Sequence, residues 1–326
     1  MGDLALIEAI HLSKVFPMYE GFIFRRLRAE LKAVDDISFR ILPGETLGLV
    51  GESGCGKTTV GKLLMCLMAA TSGQILFRGK DVGTMQKEDL LQLRGQMQMV
   101  FQDPYSSLNP RKTVAEIIEY PLRVLGRLGK ASRQDRVHEL LDLVGLNPHH
   151  ANRYPHQFSG GQRQRVGIAR ALAVDPLFIV LDEPVSALDV SVQAQIINLL
   201  MDLQEDLELS YLFISHDLNV VEHLSNKVAV MYLGKFVEVA NRDELFRNPK
   251  HPYTRSLLSA VLTDRDGGEE IVLEGEIPSP TEIPMGCRFH TRCYMVEDIC
   301  REIEPVMEKK GPGHEVACHL ARQDEV

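Results

Sequence analysis

The sequence lacks tryptophan altogether, and aromatic residues make up only 6% of its 326 residues. No apolar run approaches the roughly 18 residues that would indicate a membrane-spanning helix, and no low-complexity tract interrupts the chain. The first residues, Met1–Leu4, include an early acid and lack the basic-then-apolar order of a signal peptide. We therefore expect a globular protein that resides in the cytoplasm.

Acidic residues outnumber basic ones, 45 to 36. The formal net charge is −9, and an acidic chain is poorly suited to non-specific nucleic-acid binding, which relies on a basic surface. Residues 1–260 carry 29 Lys and Arg against 30 Asp and Glu, a net charge of −1, whereas residues 261–326 carry 7 against 15, a net charge of −8. The C-terminal segment therefore differs in composition from the rest of the chain.

Cysteine is nearly absent from the body of the chain, where only Cys55 and Cys66 occur. The acidic C-terminal segment contains four more: Cys287, Cys293, Cys300 and Cys318. Disulfides are rare in a reducing cytosol, so four clustered cysteines are interpreted first as a metal or iron–sulfur site.

Short apolar runs predict the strands of an α/β core. The predicted strands are Leu4–Ile10, Ala33–Ile41, Thr46–Val50, Leu177–Leu181 and Tyr211–Ile214. The run at 177–181 is apolar throughout, as expected of a parallel strand buried on both faces. Helical periodicity from about Val114 to Ala173 predicts a helical subdomain inserted into this core.

Two segments have the composition of connections. Residues 264–286 are rich in Asp, Glu, Gly and Pro, which is typical of a linker and predicts a domain boundary. Residues 17–31 form a predicted loop between two strands and contain the apolar-then-basic run Phe22–Arg28. Contact with lipid headgroups or a membrane protein is one interpretation of this loop. An ordinary long insertion between strands is the favoured one.

Directly after the strand Thr46–Val50, the chain matches the phosphate-binding pattern G-x-x-x-x-G-K-[ST]. The matching residues are Gly51, Glu52, Ser53, Gly54, Cys55, Gly56, Lys57, Thr58 and Thr59. The glycines let successive backbone N–H groups converge on phosphates, and the following helix presents its positive end to them. Lys57 would neutralise β/γ-phosphate charge and Thr58 would ligate Mg²⁺. We interpret Cys55 as a small filler of the loop.

Two adjacent acids, Asp182 and Glu183, close the apolar strand at 177–181. An acid at the carboxyl end of a strand faces the ligand crevice of an open α/β sheet, so Asp182 suits the Mg²⁺ shell. Glu183 is then placed to polarise an attacking water. A lone Asp-Glu pair is more often a solvated turn, but its position after buried apolar residues favours the catalytic interpretation.

A second anion-ready helix start follows Phe158, at Ser159, Gly160, Gly161 and Gln162. The Ser-Gly-Gly order places free backbone N–H groups at a helix N-terminus. Ser159 is also expected to cap that helix. One chain has no evident need for two phosphate sites, which points to a site shared between two subunits.

With a phosphate-binding loop and a second anion-ready helix start in one chain, the sequence resembles the ATPases of the ABC-transporter family. The family's signature matches at Phe158–Gln162, apart from Phe in place of the usual Leu. The resemblance implies ATP and Mg²⁺ as ligands. It also implies a head-to-tail dimer in which Ser159 and Gly161 of one subunit contact the γ-phosphate held by Lys57 of the other.

The same resemblance implies the architecture. We expect an α/β protein with a P-loop NTPase (RecA-like) core, an antiparallel β arm and an inserted α-helical subdomain at about 103–172. This ATPase domain would span residues 1–262. A linker and a small Cys-containing extension would occupy residues 263–326.

Further residues match family positions in order along the chain. By resemblance, Gln102 contacts Mg²⁺ and couples hydrolysis to transport, and Asp189 lies in a segment that crosses the dimer interface. His216 matches the histidine that contacts the γ-phosphate, and Phe16 occupies the place of the adenine-stacking aromatic. The implied catalytic set is Glu183 as base with His216, Gln102 and Lys57, acting through positioning and charge neutralisation.

Two further segments narrow the resemblance to the oligopeptide/dipeptide importer branch, and to its F-type ATPases more than its D-type. They are Phe101–Arg111 and Asn248–Arg255, the latter followed by a Cys-bearing tail. Exporters of the family usually carry T-x-V-G-E-x-G before the signature, and Arg153–Gln157 stands there instead. The alternative is a soluble ABC ATPase of DNA repair or translation, which usually shows a coiled-coil insertion or two cassettes in one chain.

This branch implies an importer motor and its partners. They are a D-type sister ATPase in a heterodimer, two transmembrane permeases and an extracytoplasmic solute-binding protein, with no nucleic acid. The chain would then lie at the cytoplasmic face of the membrane, held there peripherally by the permeases. Related importers are thought to carry nickel complexes, glutathione or sugars, so the solute remains open among these and di- or oligopeptides.

The four-cysteine segment contains few large apolar residues and needs a cross-linking centre for stability. Thiolates favour zinc or an iron–sulfur cluster. The spacings of five, six and seventeen residues are looser than the tight pairs of structural zinc. Resemblance to the peptide-importer ATPases implies a [4Fe–4S] cluster on Cys287, Cys293, Cys300 and Cys318, with zinc or free thiols as alternatives. The histidines His290, His314 and His319 lie close enough in sequence to replace a cysteine ligand, but a surface position is the favoured interpretation for each.

Overall fold

The computed structural model describes residues 4–20, 26–126, 128–266 and 271–322. The strands among them are β1 (Ile7–Glu20), β2 (Arg26–Ile41), β3 (Thr46–Val50), β4 (Ser72–Phe77), β5 (Lys80–Asp81), β6 (Met97–Val100), β7 (Phe178–Asp182), β8 (Ser210–Ile214), β9 (Lys227–Tyr232), β10 (Lys235–Asn241), β11 (Glu308–Gly311) and β12 (His314–Val316).

The α-helices are α1 (Lys57–Leu64), α2 (Lys87–Gln96), α3 (Pro104–Ser107), α4 (Val114–Val124), α5 (Lys130–Leu143), α6 (Gly160–Leu172), α7 (Val190–Leu207), α8 (Leu218–Leu224), α9 (Arg242–Arg247), α10 (Pro252–Asp266) and α11 (Asp298–Glu302). Short 3-10 helices occur at Val82–Thr84, Pro148–Asn152 and Pro155–Gln157. Within the described ranges, no helix combines the length and the apolar character that crossing a bilayer requires.

The chain divides into two compact units. The P-loop unit comprises Ile7–Arg40, Leu47–Leu76 and the chain from Ser215 onward. The helical unit comprises the chain up to Leu6, Ile41–Thr46 and Phe77–Ile214. Each unit is assembled from segments that are distant in sequence.

In the P-loop unit, a sheet connects the predicted phosphate-loop strand to the C-terminal segment. Strand β3 is fully buried and pairs in parallel with β9, from Leu47 opposite Lys227 to Val50 opposite Val230. Strands β9 and β10 form an antiparallel pair, β12 pairs antiparallel with β10, and β11 pairs antiparallel with β12 at the edge of the sheet. The C-terminal extension, expected to be too small for a core of its own, thus contributes two strands to this sheet.

The predicted loop at 17–31 is largely strand, which corrects the sequence interpretation. Strand β1 continues to Glu20 and β2 begins at Arg26, while part of the apolar run, Phe22–Phe24, lies outside the described residues. The last five residues of β1 are all exposed. Strand prediction depends on an alternation of buried and exposed positions, and that alternation is missing here.

The helical unit is built on a parallel sheet in which β7 lies between β6 and β8. On one side of β7, Met97 of β6 pairs with Phe178. On the other side, Phe178 pairs with Ser210 of β8. All five residues of β7 are buried, as the apolar run predicted. Helix α6 packs against α3, α4, α5 and α7 and contacts β6. The predicted helical subdomain is therefore present as helices arranged around α6.

A buried hydrogen bond between Glu238 and His314 connects β10 to β12. Glu238 and His314 are both completely buried, and His314 Nε2 lies 2.6 Å from Glu238 Oε1. The backbone N–H groups of Lys250 and His251 also donate to the Glu238 carboxylate, at 2.7 and 3.0 Å. The expectation of a surface position for His314 was wrong, because its hydrogen-bond partner Glu238 lies 76 residues away in sequence.

Candidate nucleotide site

The phosphate-binding loop follows β3 and leads directly into α1, as predicted. Gly51 and Gly56 have φ angles of 150° and 115°. A Cβ atom on Gly51 would lie 2.2 Å from the Met231 carbonyl oxygen, and one on Gly56 would lie 2.0 Å from that of Ala33. Only glycine satisfies both the backbone angles and the close approach at these two positions.

Lys57 is buried with its ammonium group inside the loop. Its Nζ donates to the carbonyl oxygens of Gly51 at 2.6 Å and Glu52 at 2.9 Å, and lies 3.9 Å from Cys55 Sγ. Sulfur is a weak acceptor, so a phosphate oxygen replaces this third contact most readily. The ammonium is therefore fixed where phosphate charge can be neutralised.

The other residues of the loop differ in burial. Burial raises the pKa of the Cys55 thiol, against the opposing effect of the Lys57 charge, so the thiol stays protonated and acts as a filler. Ser53 and Gly54 are exposed, and Thr58 and Thr59 lie half-buried in the first turn of α1. No side chain caps the N-terminus of α1. Its first N–H groups suit an anion.

Glu52 of the loop forms hydrogen bonds and an ion pair with residues distant in sequence. Its N–H donates to Tyr253 Oη at 2.9 Å. Its carboxylate forms a two-pronged ion pair with Arg292, with N–O distances of 2.8 and 3.0 Å. Both partners come from the C-terminal part of the chain.

Two more predicted residues belong to the P-loop unit. Phe16 on β1 is 36% exposed, with Lys14 Nζ 5.1 Å from the centre of its ring. His216 is exposed and follows Ser215, whose N–H donates to the Leu49 carbonyl of β3 at 3.2 Å. The backbone thus ties the His216 segment to the strand that carries the phosphate loop.

In the helical unit, three predicted residues meet at the carboxyl end of β7. Asp182 is the last residue of the strand and is buried. Glu183 follows with a left-handed φ of 45°, and its N–H donates to the Ile214 carbonyl at 2.9 Å. Gln102 Nε2 donates to Glu183 Oε2 at 2.8 Å. A non-glycine residue held in this conformation is typical of a functional position.

The signature residues form the start of α6. Ser159 Oγ accepts from the Gln162 N–H at 3.3 Å, and Gln162 Oε1 accepts from the Ser159 N–H at 3.1 Å, which is a capping box. The predicted cap is therefore confirmed. Ser159 and Gly160 are exposed at this helix start.

The two signature glycines lie close to the segment that contains Asp189. A Cβ on Gly161 would lie 2.4 Å from Val192 Cγ1, and one on Gly160 would lie 3.1 Å from Leu188 Cδ2. Asp189 is the N-cap residue of α7 and is exposed. The glycines allow the signature helix to pack against the start of α7 within one chain.

The four C-terminal cysteines line one small cavity in the P-loop unit, together with Phe289 and Pro252. Burial and then the neighbouring thiols raise the pKa of Cys287 to about 11, and burial also raises the pKa values of Cys293 and Cys318. In the described part of the chain, no three or more His, Cys, Asp or Glu side chains already form a metal-binding group. The donor type and the shared apolar cavity fit a thiolate-bound centre.

Sequence analysis missed the partners of Glu52. Tyr253 lies within the segment that indicated the importer branch, but nothing there pointed to the phosphate loop. Arg292 is one of only seven basic residues in the acidic C-terminal segment. That scarcity was the available signal. An arginine needs a specific partner only when it is buried, and its burial is seen in the structure.

Comparisons with known proteins agree with this geometry. The sequence model of the ABC transporter family matches residues 34–186, and that of the oligopeptide/dipeptide transporter C-terminal region matches residues 237–300. The chain is 53% identical over 320 residues to AppF, an oligopeptide transport ATP-binding protein of Bacillus subtilis (strain 168), with 97% of each chain covered. It is 48% identical over 323 residues to DppF, a dipeptide transport ATP-binding protein of Escherichia coli (strain K12), with 98% of this chain and 96% of DppF covered.

Solved structures of ATP-binding cassettes have a similar fold. The ATP-binding cassette MJ0796, solved as a dimer in a post-hydrolysis state with ADP and Pi, matches with a TM-score of 0.64 at 29% identity, covering 72% of this chain and 98% of that one. CbiO1 of Clostridium perfringens, at 24% identity, matches with a TM-score of 0.65 over 81% of this chain and 97% of that one. The predicted P-loop NTPase fold is confirmed. The chain belongs to the ABC transporter family, in the oligopeptide/dipeptide branch of its ATP-binding proteins, and is an ATPase.

Proposed function

We propose that this chain is the ATP-hydrolysing motor subunit of an importer for di- or oligopeptides. The supporting observation is the full-length similarity to AppF and DppF combined with a formed phosphate loop and an intact Gln102–Glu183 contact. A C-terminal region characteristic of the peptide branch further supports peptides as the solute. Nickel complexes, glutathione and sugars are the competing solutes.

The P-loop unit would bind the nucleotide. Backbone N–H groups of residues 51–59 and the uncapped start of α1 hold the phosphates, and Lys57 neutralises their charge. Thr58 offers an oxygen ligand of the type that Mg²⁺ prefers, and in the helical unit Gln102 and Asp182 carry oxygen atoms of the same type. The exposed ring of Phe16 stacks on the adenine. Bound Mg²⁺ stabilises negative charge on the phosphates during hydrolysis.

Glu183 would act as general base toward the attacking water. The hydrogen bond from Gln102 fixes the orientation of the Glu183 carboxylate. The left-handed backbone conformation fixes the direction in which the Glu183 side chain leaves the main chain. His216 contacts the γ-phosphate. Catalysis then consists mainly of positioning and charge neutralisation, as is usual in phosphoryl transfer.

The signature helix would serve a second nucleotide across a dimer. Ser159 and Gly160 are exposed at this helix N-terminus, Gln162 is half-buried and Gly161 is buried, and we assign these four residues and the exposed Asp189 to the dimer interface. ATP binding closes the dimer, and hydrolysis lets it reopen. This cycle couples ATP turnover to solute uptake.

We propose a D-type sister ATPase as the dimer partner, with two permeases and an extracytoplasmic solute-binding protein completing the importer. The chain then lies at the cytoplasmic face of the membrane through its permeases. Co-purification of the tagged chain from native membranes, followed by identification of the associated proteins, tests this assembly. Recovery of two permeases and a second ATPase supports it, and recovery of the chain only with a second copy of itself contradicts the heterodimer.

We propose further that the four C-terminal cysteines hold a [4Fe–4S] cluster, with a zinc ion as the alternative. The support is the one cavity that all four thiols line, together with His251, His290 and His319, since thiolates suit either centre. Anaerobic purification followed by iron, sulfide and zinc assays distinguishes the two. Stoichiometric zinc without sulfide contradicts the cluster. Cys300→Ser should abolish the bound metal, whereas the control Cys66→Ser, outside the cavity, should leave it unchanged.

A further inference from the structure

The segment that carries the cysteines is anchored in the P-loop unit by aromatic rings. Phe289 is 1% exposed, and its ring centre lies 5.3 Å from those of Tyr232 on β9 and Tyr253 on α10. Tyr232 and Tyr253 are themselves in contact, with 4.8 Å between ring centres. Aromatic contacts at these distances and angles are favourable beyond the area they bury. Phe289 therefore fixes the position of the residues that follow it.

Arg292 reaches the phosphate-binding loop from this anchored segment. Its N–H donates to the Phe289 carbonyl at 3.0 Å, so the turn is closed, and its side chain is only 8% exposed. Both of its terminal nitrogens contact the Glu52 carboxylate. A two-pronged, charge-assisted pair in a partly buried setting fixes both distance and orientation.

Glu52 is consequently held at three points. Arg292 holds its side chain, Tyr253 Oη accepts its N–H, and its carbonyl accepts from Lys57 Nζ. Farther along the loop, the Cys55 carbonyl accepts from the Gly234 N–H at 2.9 Å. The carbonyl that orients the Lys57 ammonium thus belongs to the residue that the C-terminal segment fixes.

We propose that Arg292 is a positioning residue for ATP binding: through Glu52 it holds the phosphate loop and Lys57 in their binding geometry. Tyr253 also holds Glu52, because its hydroxyl accepts the hydrogen bond from the Glu52 backbone N–H. The C-terminal segment therefore contributes to the nucleotide affinity of this chain without touching the nucleotide. A lysine at position 292 keeps the charge but presents a single point contact, so it cannot fix the carboxylate in the same way.

The test compares Arg292→Lys with Arg133→Lys in the purified full-length chain. Arg133 is a part-buried arginine of the helical unit, and its guanidinium donates to the Glu119 carboxylate and the Leu128 carbonyl. Calorimetric titration with MgATP gives the Kd, steady-state ATPase assays separate KM from kcat, and thermal unfolding gives Tm.

We expect Arg292→Lys to raise the Kd and KM for MgATP about tenfold while kcat changes less than twofold, because loop geometry rather than chemistry is altered. Arg133→Lys should lower Tm and leave the Kd within twofold of wild type. Glu52→Gln should weaken binding similarly, and the double variant with Arg292→Lys should be no weaker than the poorer single variant.

A Kd for Arg292→Lys within twofold of wild type would overturn the proposal, as would effects of Arg292→Lys and Glu52→Gln that simply add. If Arg292→Lys does not fold, Tyr253→Phe provides the decisive measurement. It keeps the ring packing and removes only the acceptor of the Glu52 N–H. An increase in Kd of threefold or more supports the proposal, and a smaller change contradicts it.

Discussion

At the scale of single residues, Glu183 combines three features: a strained backbone, a buried acid before it and a hydrogen bond from Gln102. A strained non-glycine conformation persists only where surrounding contacts impose it. Here the Glu183 N–H to the Ile214 carbonyl and the Ser186 contacts to the Glu183 carbonyl impose it. The carboxylate is therefore aimed by the fold before any nucleotide binds.

Replacing Glu183 with Gln should leave ATP binding intact and lower kcat at least about 100-fold, because the amide cannot accept the proton of the attacking water. The variant should also accumulate as an ATP-bound dimer, detectable by size-exclusion chromatography with MgATP. The control Glu205→Gln removes an exposed acid of α7 and should have no effect. Turnover at the wild-type rate by Glu183→Gln would contradict the role of Glu183 as general base.

At the scale of elements, the contact between α6 and α7 depends on the absence of a side chain at Gly161. A methyl group there would lie 2.4 Å from Val192 Cγ1, whereas a Cβ on Gly167 of the same helix meets nothing within 4 Å. Gly161 and Gly167 thus form a matched pair of positions on one helix.

Gly161→Ala should lower Tm because the added methyl group pushes α7 away from the start of α6. Gly167→Ala should raise stability by about 1 kcal/mol, since alanine favours the helix more than glycine does. Thermal unfolding measures both. Adding Val192→Ala should restore the Tm of Gly161→Ala, and a failure to restore it would show that the contact with Val192 is not the cause.

The link between β10 and β12 depends on a buried charge. Burial raises the pKa of Glu238, but hydrogen bonds from His314, Thr254 and the N–H groups of Lys250 and His251 outweigh burial and lower it. A carboxylate whose pKa is lower in the folded state stabilises the fold above its unfolded pKa of about 4.3. That stability is lost as the pH falls through the folded pKa.

Glu238→Gln should therefore lower the free energy of unfolding at pH 7 by about 3 kcal/mol, because it leaves buried donors without their charged acceptor. Below pH 4 the difference from wild type should shrink. Urea unfolding at a series of pH values measures this. Glu308→Gln on β11 removes an exposed acid paired with Lys310 and should change stability little. A pH-independent difference for Glu238→Gln would contradict the role of its charge.

At the scale of the whole molecule, the elements predicted best are those encoded by neighbouring residues. Strand β3, the phosphate loop and β7 are local patterns, so their positions followed from the sequence to within a residue. Partners distant in sequence could not be predicted in this way. Arg292 and Glu52 are 240 residues apart, and His314 and Glu238 are 76 apart. No periodic pattern encodes such pairs.

The C-terminal segment shows the physical reason for this limit. Its acidic, core-poor composition predicted dependence on a cross-linking centre, and its cysteines do share a cavity. It also gains stability from rings and strands of the P-loop unit, through Phe289 and β12. Composition shows that a segment needs partners, but only the fold shows which ones.

Solute uptake tests the central claim most directly. Cells that lack the gene for this chain should be complemented with the wild type or with Glu183→Gln, and uptake of a radiolabelled dipeptide should be measured alongside nickel, glutathione and a sugar. We predict that the wild type restores dipeptide uptake, that Glu183→Gln does not, and that the other solutes are unaffected. Restoration of nickel, glutathione or sugar uptake without dipeptide uptake would contradict a peptide importer.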